Sequence, residues 1–345
     1  MAEYAVRAYS QGDWTEILSA FSDFSLIQSW EYGETRAAAG GWRVERGVVT
    51  DDASVLAAAQ VMIRPLPGIG GGFAWISRGP LWRDTGGDRS AEIPPVLAAL
   101  RRHYVGGRGL YLRIAPPLAD RQPVVTMIGA AGFAATSTCG WASATIDLTR
   151  STEELRRGLR QKWRNGLNKA ERSGITVEDG FDDALFDGFL REYRTFIDAR
   201  GFDTSVTPPL LATLQGLFPD ERKMICYRGS HRGEALGSAL IARSGDRAEY
   251  LAGTLLDAGR PLSVGQLLLW RAICDAKAAG LRWFDLGGMD PESTPKGIYD
   301  FKDGIGGEPY RLAPEIEAHD GGLRARLVRW RVNRARGPAA GEAGP

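Results

Sequence analysis

The stretch "CDAKAAGLRWFDLGG", Cys274 to Gly288, runs from an apolar helix through a glycine into a strand bearing two aromatic residues, and ends on paired glycines. Gly280 reads as a helix stop, because glycine adopts the left-handed backbone of a C-terminal cap without steric cost. The same order of events occurs in "RRHYVGGRGLYLRIAP", Arg101 to Pro116. Any α/β protein reuses this unit, and its presence in both halves favours duplication over coincidence. The fold class is α/β with mixed sheets.

Working outward, each unit is preceded by strand-like segments. "GWRVERGVV", "SVLAAAQVMIRPLP" and "GGFAWISRGPLW" lead into a helix over Ser90 to Tyr104. "RKMICYRG", "EALGSALIARS" and "RAEYLAGT" lead into a helix over Leu267 to Ala279, with Leu267, Trp270, Cys274 and Ala278 as its apolar positions. At 345 residues, with 43% hydrophobic residues and ten tryptophans, the chain has material for two compact units.

Forty-three Lys and Arg against 42 Asp and Glu leave a formal charge of +1, so a polyanion must be held by a local patch. Cys139, Cys226 and Cys274 show no CxxC spacing, which argues against a disulfide framework and a thiolate metal site and fits a reducing cytoplasm. His103, His231 and His319 lack neighbours at metal-ligand spacing, so no metal is expected. The N-terminal "MAEYAVRAYSQGDW" has no signal-peptide pattern and no window approaches about 18 apolar residues, so a soluble, cytoplasmic protein without an integral membrane segment is expected.

Between the halves lies "STEELRRGLRQKWRNGLNKAERSG", read as one helix from a Ser151–Glu154 capping box to a stop at Gly174. Leu155, Leu159, Trp163, Leu167 and Ala170 form its packing face, and Arg160, Lys162, Arg164 and Lys169 belong to a basic ridge around the rest. The usual meaning of such a helix is a solvated charged face. Here only Glu171 offsets seven cations between Arg156 and Arg172, which suits a ridge that attracts phosphates. Near the C-terminus, "LRARLVRWRVNRARG" places Leu323, Leu327 and Trp330 at helical spacing. It reads as a helix closing a domain, with RNA or peripheral contact with an anionic membrane as further roles. The last residues, 337–345, read as a disordered tail.

No G-x-S-x-G elbow or Walker A sequence occurs, and "GIGGGF" lacks the order and setting of a dinucleotide loop. No cofactor is expected, and the remaining enzyme class is transferases that work by positioning.

Four phrases resemble one family. "LIQSWEYGETRAAAGGW", "ISRGPLW", "KWRNGLNKAERSGITVE" and "YDFKDGIGGEP" are similar, in the same order, to signatures of the Fem family of aminoacyl-tRNA-dependent peptidyltransferases, and they span residues 26 to 309. The resemblance implies two lobes with the GNAT acetyltransferase fold and a cleft between them, without the long coiled-coil arm of larger members. The expected division is 1–145, completed by 312–336, and 146–311. It also implies transfer of an amino acid from aminoacyl-tRNA to the amine of a peptide acceptor. That acceptor is a peptidoglycan precursor, nucleotide- or lipid-linked, or a small peptide metabolite of an antibiotic pathway.

Carried over by the resemblance, Phe301 and Lys302 correspond to the pair that meets the tRNA acceptor end, the ring as a packing surface and Lys302 as the catalytic cation. The four glycines around them give the segment the look of a flexible loop, and without the resemblance Phe301 reads first as an ordinary core plug in a structural turn. Arg36, Arg200 and Tyr250 match acceptor-binding positions; Arg36 replaces a lysine, and Ile197 replaces a threonine close to Arg200. The proton acceptor is unassigned, with the tRNA ribose hydroxyl, Asp300 and Asp303 as options. Two alternatives stand: an acyl-CoA-dependent GNAT enzyme, whose phosphate loop "GRPLSVGQLL" approximates, and a non-catalytic module that binds RNA or a glycan precursor.

Overall fold

In the computed structural model the chain divides into two compact units, Met1–Trp141 with Arg311–Glu342, and Ala142–Tyr310. The structure describes residues 2–336 apart from 23, 53, 67, 69–70, 83–90, 121 and 201–203; the tail expected at 337–345 lies outside the described residues.

The first unit opens with β1 (Glu3–Arg7), α1 (Gln11–Ser19) and α2 (Trp30–Ala38). An antiparallel run follows, in which β2 (Arg43–Asp51) lies between β1 and β3 (Ser54–Leu66), and β3 pairs with β4 (Gly71–Ser77). The short β5 (Leu81–Trp82) hooks back onto β3. Helix α3 (Ile93–Arg101) then leads to β6 (Tyr111–Ala115), which pairs in parallel with β4, Phe73 beside Tyr111 and Trp75 beside Arg113. Next come α4 (Gln122–Ala130) and β7 (Ala134–Ala135). α3 is shorter than the sequence pattern suggests: Pro94 and Pro95 occupy its first turn, where their missing N–H groups cost nothing, and its C-terminal end passes into a π-turn over Arg102–Gly106.

Alternation along β3 creates two cores. Ala57, Ala59, Val61 and Ile63 join Val96, Leu97 and Leu100 of α3 on one face, while Met62 points to the other, among Phe73, Trp75 and Tyr111.

The second unit begins with β8 (Ala142–Asp147), α5 (Thr152–Gly158), α6 (Gln161–Arg172), β9 (Thr176–Gly180), α7 (Asp183–Arg200) and α8 (Pro208–Leu217). The antiparallel strands β10 (Ile225–His231), β11 (Glu234–Ser244) and β12 (Arg247–Leu255) follow. Helix α9 (Val264–Ala278) returns the chain to β13 (Trp283–Asp285), which pairs in parallel with β12. The unit ends with α10 (Lys296–Asp303) and β14 (Glu308–Arg311). Its strand order is β14-β8-β13-β12-β11-β10-β9. Glu192 of α7 ties that helix to the sheet by accepting from Arg228, Ser238 and Thr254.

Re-entering the first unit, β15 (Ile316–Ala318) slots between β6 and β7, giving the order β1-β2-β3-β4-β6-β15-β7. Each unit therefore has four antiparallel strands, a helical crossover to a parallel fifth, and two further strands beyond. The crossovers are built by the two quoted repeats.

Two expectations need correction. The segment Ser151–Gly174 is two helices: Leu159 and Arg160 are extended, and the Arg160 N–H donates to the Gly304 carbonyl at 2.9 Å instead of continuing a helix. The capping box at Ser151 is present. The C-terminal helix α11 (Leu323–Arg336) does pack on the first unit, but through Ala325 and Val328, the latter among Met62, Phe73, Trp75 and Tyr111. Leu323, Leu327 and Trp330 face solvent. Val328 makes ordinary van der Waals contact over Gly71 of β4.

Candidate active site

Helix α10 sets the geometry. Pro295 precedes it, and its apolar edge consists of Ile298, Tyr299 and Phe301, while Lys296 and Asp300 form an exposed i, i+4 ion pair. The expected flexible loop is thus a helix. Gly304 forms its C-terminal cap and packs so closely on Trp163 of α6 that a Cβ there would lie 2.7 Å from the indole.

Lys302 points inward and is 7% exposed. Its Nζ donates to the Gly288 carbonyl at 2.8 Å and lies 5.4 Å from the centre of the Tyr250 ring. The Gly288 carbonyl is its one hydrogen-bond acceptor among the described residues, which leaves two ammonium N–H groups without a partner among them. Burial lowers its pKa from the ordinary 10.5 to about 8, and the carboxylates of Asp285 and Glu249 oppose that shift.

The carbonyl is held in place from below. Asp285, at the end of β13, accepts from the Gly287 N–H at 2.9 Å and from the Tyr310 hydroxyl at 2.7 Å, and pairs with Arg247 at 3.4 Å. The Ser143 hydroxyl lies 2.6 Å from the same carboxylate and 2.7 Å from the Gly287 carbonyl. Gly287 must be glycine: its φ is +67°, and a Cβ would fall 2.4 Å from the Tyr250 carbonyl and 3.5 Å from Nζ of Lys302. The arrangement is one buried ammonium over an aromatic face, braced by a fully engaged carboxylate.

Phe301, one position back, faces elsewhere. Its ring is partly buried, 6.0 Å from that of Trp163, and 3.5 Å from where a Cβ on Gly265 would be, in the first turn of α9. Lys302 and Tyr250 are therefore brought together, with Phe301 on the adjoining side of the same helix. Arg160 is drawn to α10 by an ion pair with Asp303 at 2.7 Å. Of the other ridge residues, Lys162 and Lys169 are exposed, and Arg164 is half-buried with a hydrogen bond to the Arg157 carbonyl. Arg156 takes up Glu171, at 2.5 Å. Asp300 and Asp303 are both engaged in ion pairs at the helix surface.

Arg36 lies on α2 of the first unit, half-buried, with its Nε lacking a partner among the described residues. Arg200 is the last residue of α7, and its side chain lies outside the described residues. Asp285, Ser143, Gly287 and Tyr310 were not singled out in the sequence, although an acid at a strand end followed by Gly287 and Gly288 is a usable signal.

The sequence family described as Acetyltransferase (GNAT) domain matches residues 156–303, within the second unit. No curated protein matches the chain. Among solved structures, the crystal structure of FemX superposes with a TM-score of 0.79 at 15% identity, covering 94% of this chain and 99% of that one. A conserved protein of unknown function from Bacteroides thetaiotaomicron VPI-5482 gives 0.57 at 9% identity, covering 90% and 98%. L-PGS from Bacillus licheniformis gives 0.51 at 13%, covering 89% and 93%. The chain has an α/β fold of two GNAT-like units with mixed sheets, and that fold is Fem-like over nearly its whole length.

Proposed function

We propose that this chain is an aminoacyltransferase that moves an amino acid from aminoacyl-tRNA to an amine of a peptide acceptor. The observation that carries the reading is the Lys302 ammonium, buried and bonded to a single carbonyl, at the position that the Fem resemblance assigns to the catalytic cation. The fold shared with FemX supports it.

An aminoacyl ester is already activated, so the reaction needs no nucleotide. The acceptor amine attacks the ester carbonyl, negative charge collects on that oxygen, and the amide forms as the C–O bond to the ribose breaks, the ribose oxygen leaving as a hydroxyl with the proton that the amine gives up. The protein's task is to hold amine and carbonyl about 3 to 3.5 Å apart and to stabilise the oxyanion. Two unused N–H groups on a desolvated ammonium suit that role, because a charge already fixed in place need not reorganise and acts more strongly than in water. Tyr250 and Asp285 fix where the charge sits. Asp285 is a positioning residue, since it reaches Lys302 only through the Gly287–Gly288 backbone and its own field. Arg36 and Arg200 are proposed to contact the acceptor, and Arg160, Lys162, Arg164 and Lys169 the tRNA phosphates.

A second donor, acyl-CoA, is favoured by one feature: α9 starts after "GRPLS" with no side-chain cap from Ser263, a helix start of the kind that takes an anion, although the Gln266 N–H is already given to the Ser263 carbonyl. The deciding experiment incubates the purified chain with a charged tRNA pool and a panel of peptide amines, with and without RNase, and reads the mass added to the acceptor. Transfer that RNase abolishes supports the aminoacyl-tRNA reading. Transfer that survives RNase and requires acyl-CoA overturns it.

A further inference from the structure

The outer face of α11 is out of keeping with a solvated helix. Leu323, Leu327 and Trp330 are 83%, 43% and 53% exposed, and their i, i+4, i+7 spacing puts them in one line. Seven large hydrophobic side chains are exposed among the described residues, and three of them share this line; the other four are scattered over separate elements. The opposite side of α11 is fully used, with Ala325 and Val328 in the core, Arg329 paired with Glu317 at 2.5 Å, and Asn333 accepting from Arg113. An apolar line left in water therefore runs along a helix that is already docked.

Charge decides what could cover it. The helix carries six arginines and no acidic residue. At about 3.6 residues per turn, Arg326 flanks the line on one side and Arg324 and Arg331 on the other, all exposed. The guanidinium of Arg334 lies 5.3 Å from the centre of the Trp330 ring. An apolar stripe bordered by guanidinium groups, with an interfacial tryptophan in it, matches a layer that is anionic outside and hydrocarbon within. RNA would use the arginines and could stack on Trp330, but it offers nothing to two leucines. No described helix is long and apolar enough to cross a membrane, so the contact is peripheral.

We propose that the Leu323–Leu327–Trp330 face of α11, with Arg324, Arg326 and Arg331, is a docking surface for an anionic phospholipid membrane. This inference stands apart from the reading of Lys302, which lies in the other unit.

The test is co-sedimentation of the full chain with vesicles of phosphatidylcholine alone or mixed with phosphatidylglycerol, at low and high salt. Two double variants accompany it, Leu327→Ser with Trp330→Ser, and Arg324→Gln with Arg331→Gln. All four side chains face solvent, so unchanged melting temperatures are expected and are checked first. Binding to anionic vesicles alone is expected, weakening with salt. Removing two arginines should lower it about 25-fold, at roughly five-fold each, and the apolar pair at least about ten-fold. Failure to bind anionic vesicles at low salt, equal binding to phosphatidylcholine, or variants that bind as wild type would overturn the proposal. So would unaltered vesicle binding alongside lost tRNA retention in a gel shift, which would reassign the face to RNA. Transfer to a soluble acceptor should persist in both variants, so failure here and failure of the aminoacyltransferase reading give different results.

Discussion

Replacing Lys302 with methionine, a side chain of similar length without charge, separates folding from chemistry. Lowering an ammonium from 10.5 to about 8 corresponds to about 3 kcal/mol against the charged form in the folded protein. At 7% exposure little of that is relieved by solvent. Methionine removes this cost but also the hydrogen bond to Gly288, and a bond from a charged group contributes about 1.5 to 3 kcal/mol. The two nearly offset, so the stability of the variant at pH 7 should lie within about 2 kcal/mol of wild type. The pH dependence is more diagnostic. Between the folded value near 8 and the unfolded value of 10.5, the unfolded chain binds this proton and the folded chain has shed it. Stability therefore rises with pH across that window, by about 3 kcal/mol in total, and the rise vanishes in the variant. Denaturant unfolding of both proteins at pH 7, 9 and 10.5 measures it. Turnover in the tRNA assay should fall by about 10² to 10³-fold, the usual loss when one oxyanion donor is removed. Near-normal turnover would remove Lys302 from the chemistry, and identical pH slopes would refute its burial as a costly charge.

Three other outcomes are expected. Gly287→Ala combines a positive φ with a Cβ 2.4 Å from the Tyr250 carbonyl, so it should cost at least about 2 kcal/mol in denaturant unfolding, and a neutral result would mean the turn is not as described. Asp285→Asn removes a carboxylate that raises the Lys302 pKa, so any high-pH loss of activity that begins near 8 in wild type should move to lower pH; a pH–rate profile shifted upward would contradict the positioning role. Lys162→Gln with Lys169→Gln should reduce the slope of log affinity for tRNA against log salt by up to about 2, with unchanged stability, and an unaltered slope would exclude those lysines from phosphate contact.

Order and type of most elements were legible, because their signals are local. Gly280 ends a helix, Ser151 and Glu154 begin one, and the near-continuous apolar run in "SVLAAAQVMIRPLP" marks a strand with both faces covered. What stayed hidden depended on distant partners. The break at Leu159–Arg160 exists because the Gly304 carbonyl, far along the chain, takes the Arg160 N–H. The packing side of α11 was ambiguous because both of its faces carry apolar residues, and periodicity cannot say which of the two meets Met62, Phe73, Trp75 and Tyr111. Lys302 was legible as a candidate only through resemblance. A cation on the inward side of an amphipathic helix breaks the usual pattern, and the Asp285–Gly287–Gly288 brace that tolerates it belongs to a different strand end.

The position of β15 fixes an order of events during synthesis. β6 and β7 are joined only through this strand, which follows the whole second unit in the chain. Ile316 and Ala318 complete the hydrophobic layer there, and Glu315 and Glu317 neutralise Arg113 and Arg329. While a ribosome is still translating residues 142–310, the earlier segment has every other strand of its sheet yet lacks the one that closes the gap. The portion encoded second is thus the first able to reach a finished state, and the N-terminal portion waits for the final turns of the polypeptide. A released chain truncated after Arg311 should consequently show protease resistance over the later segment and sensitivity around β6 and β7.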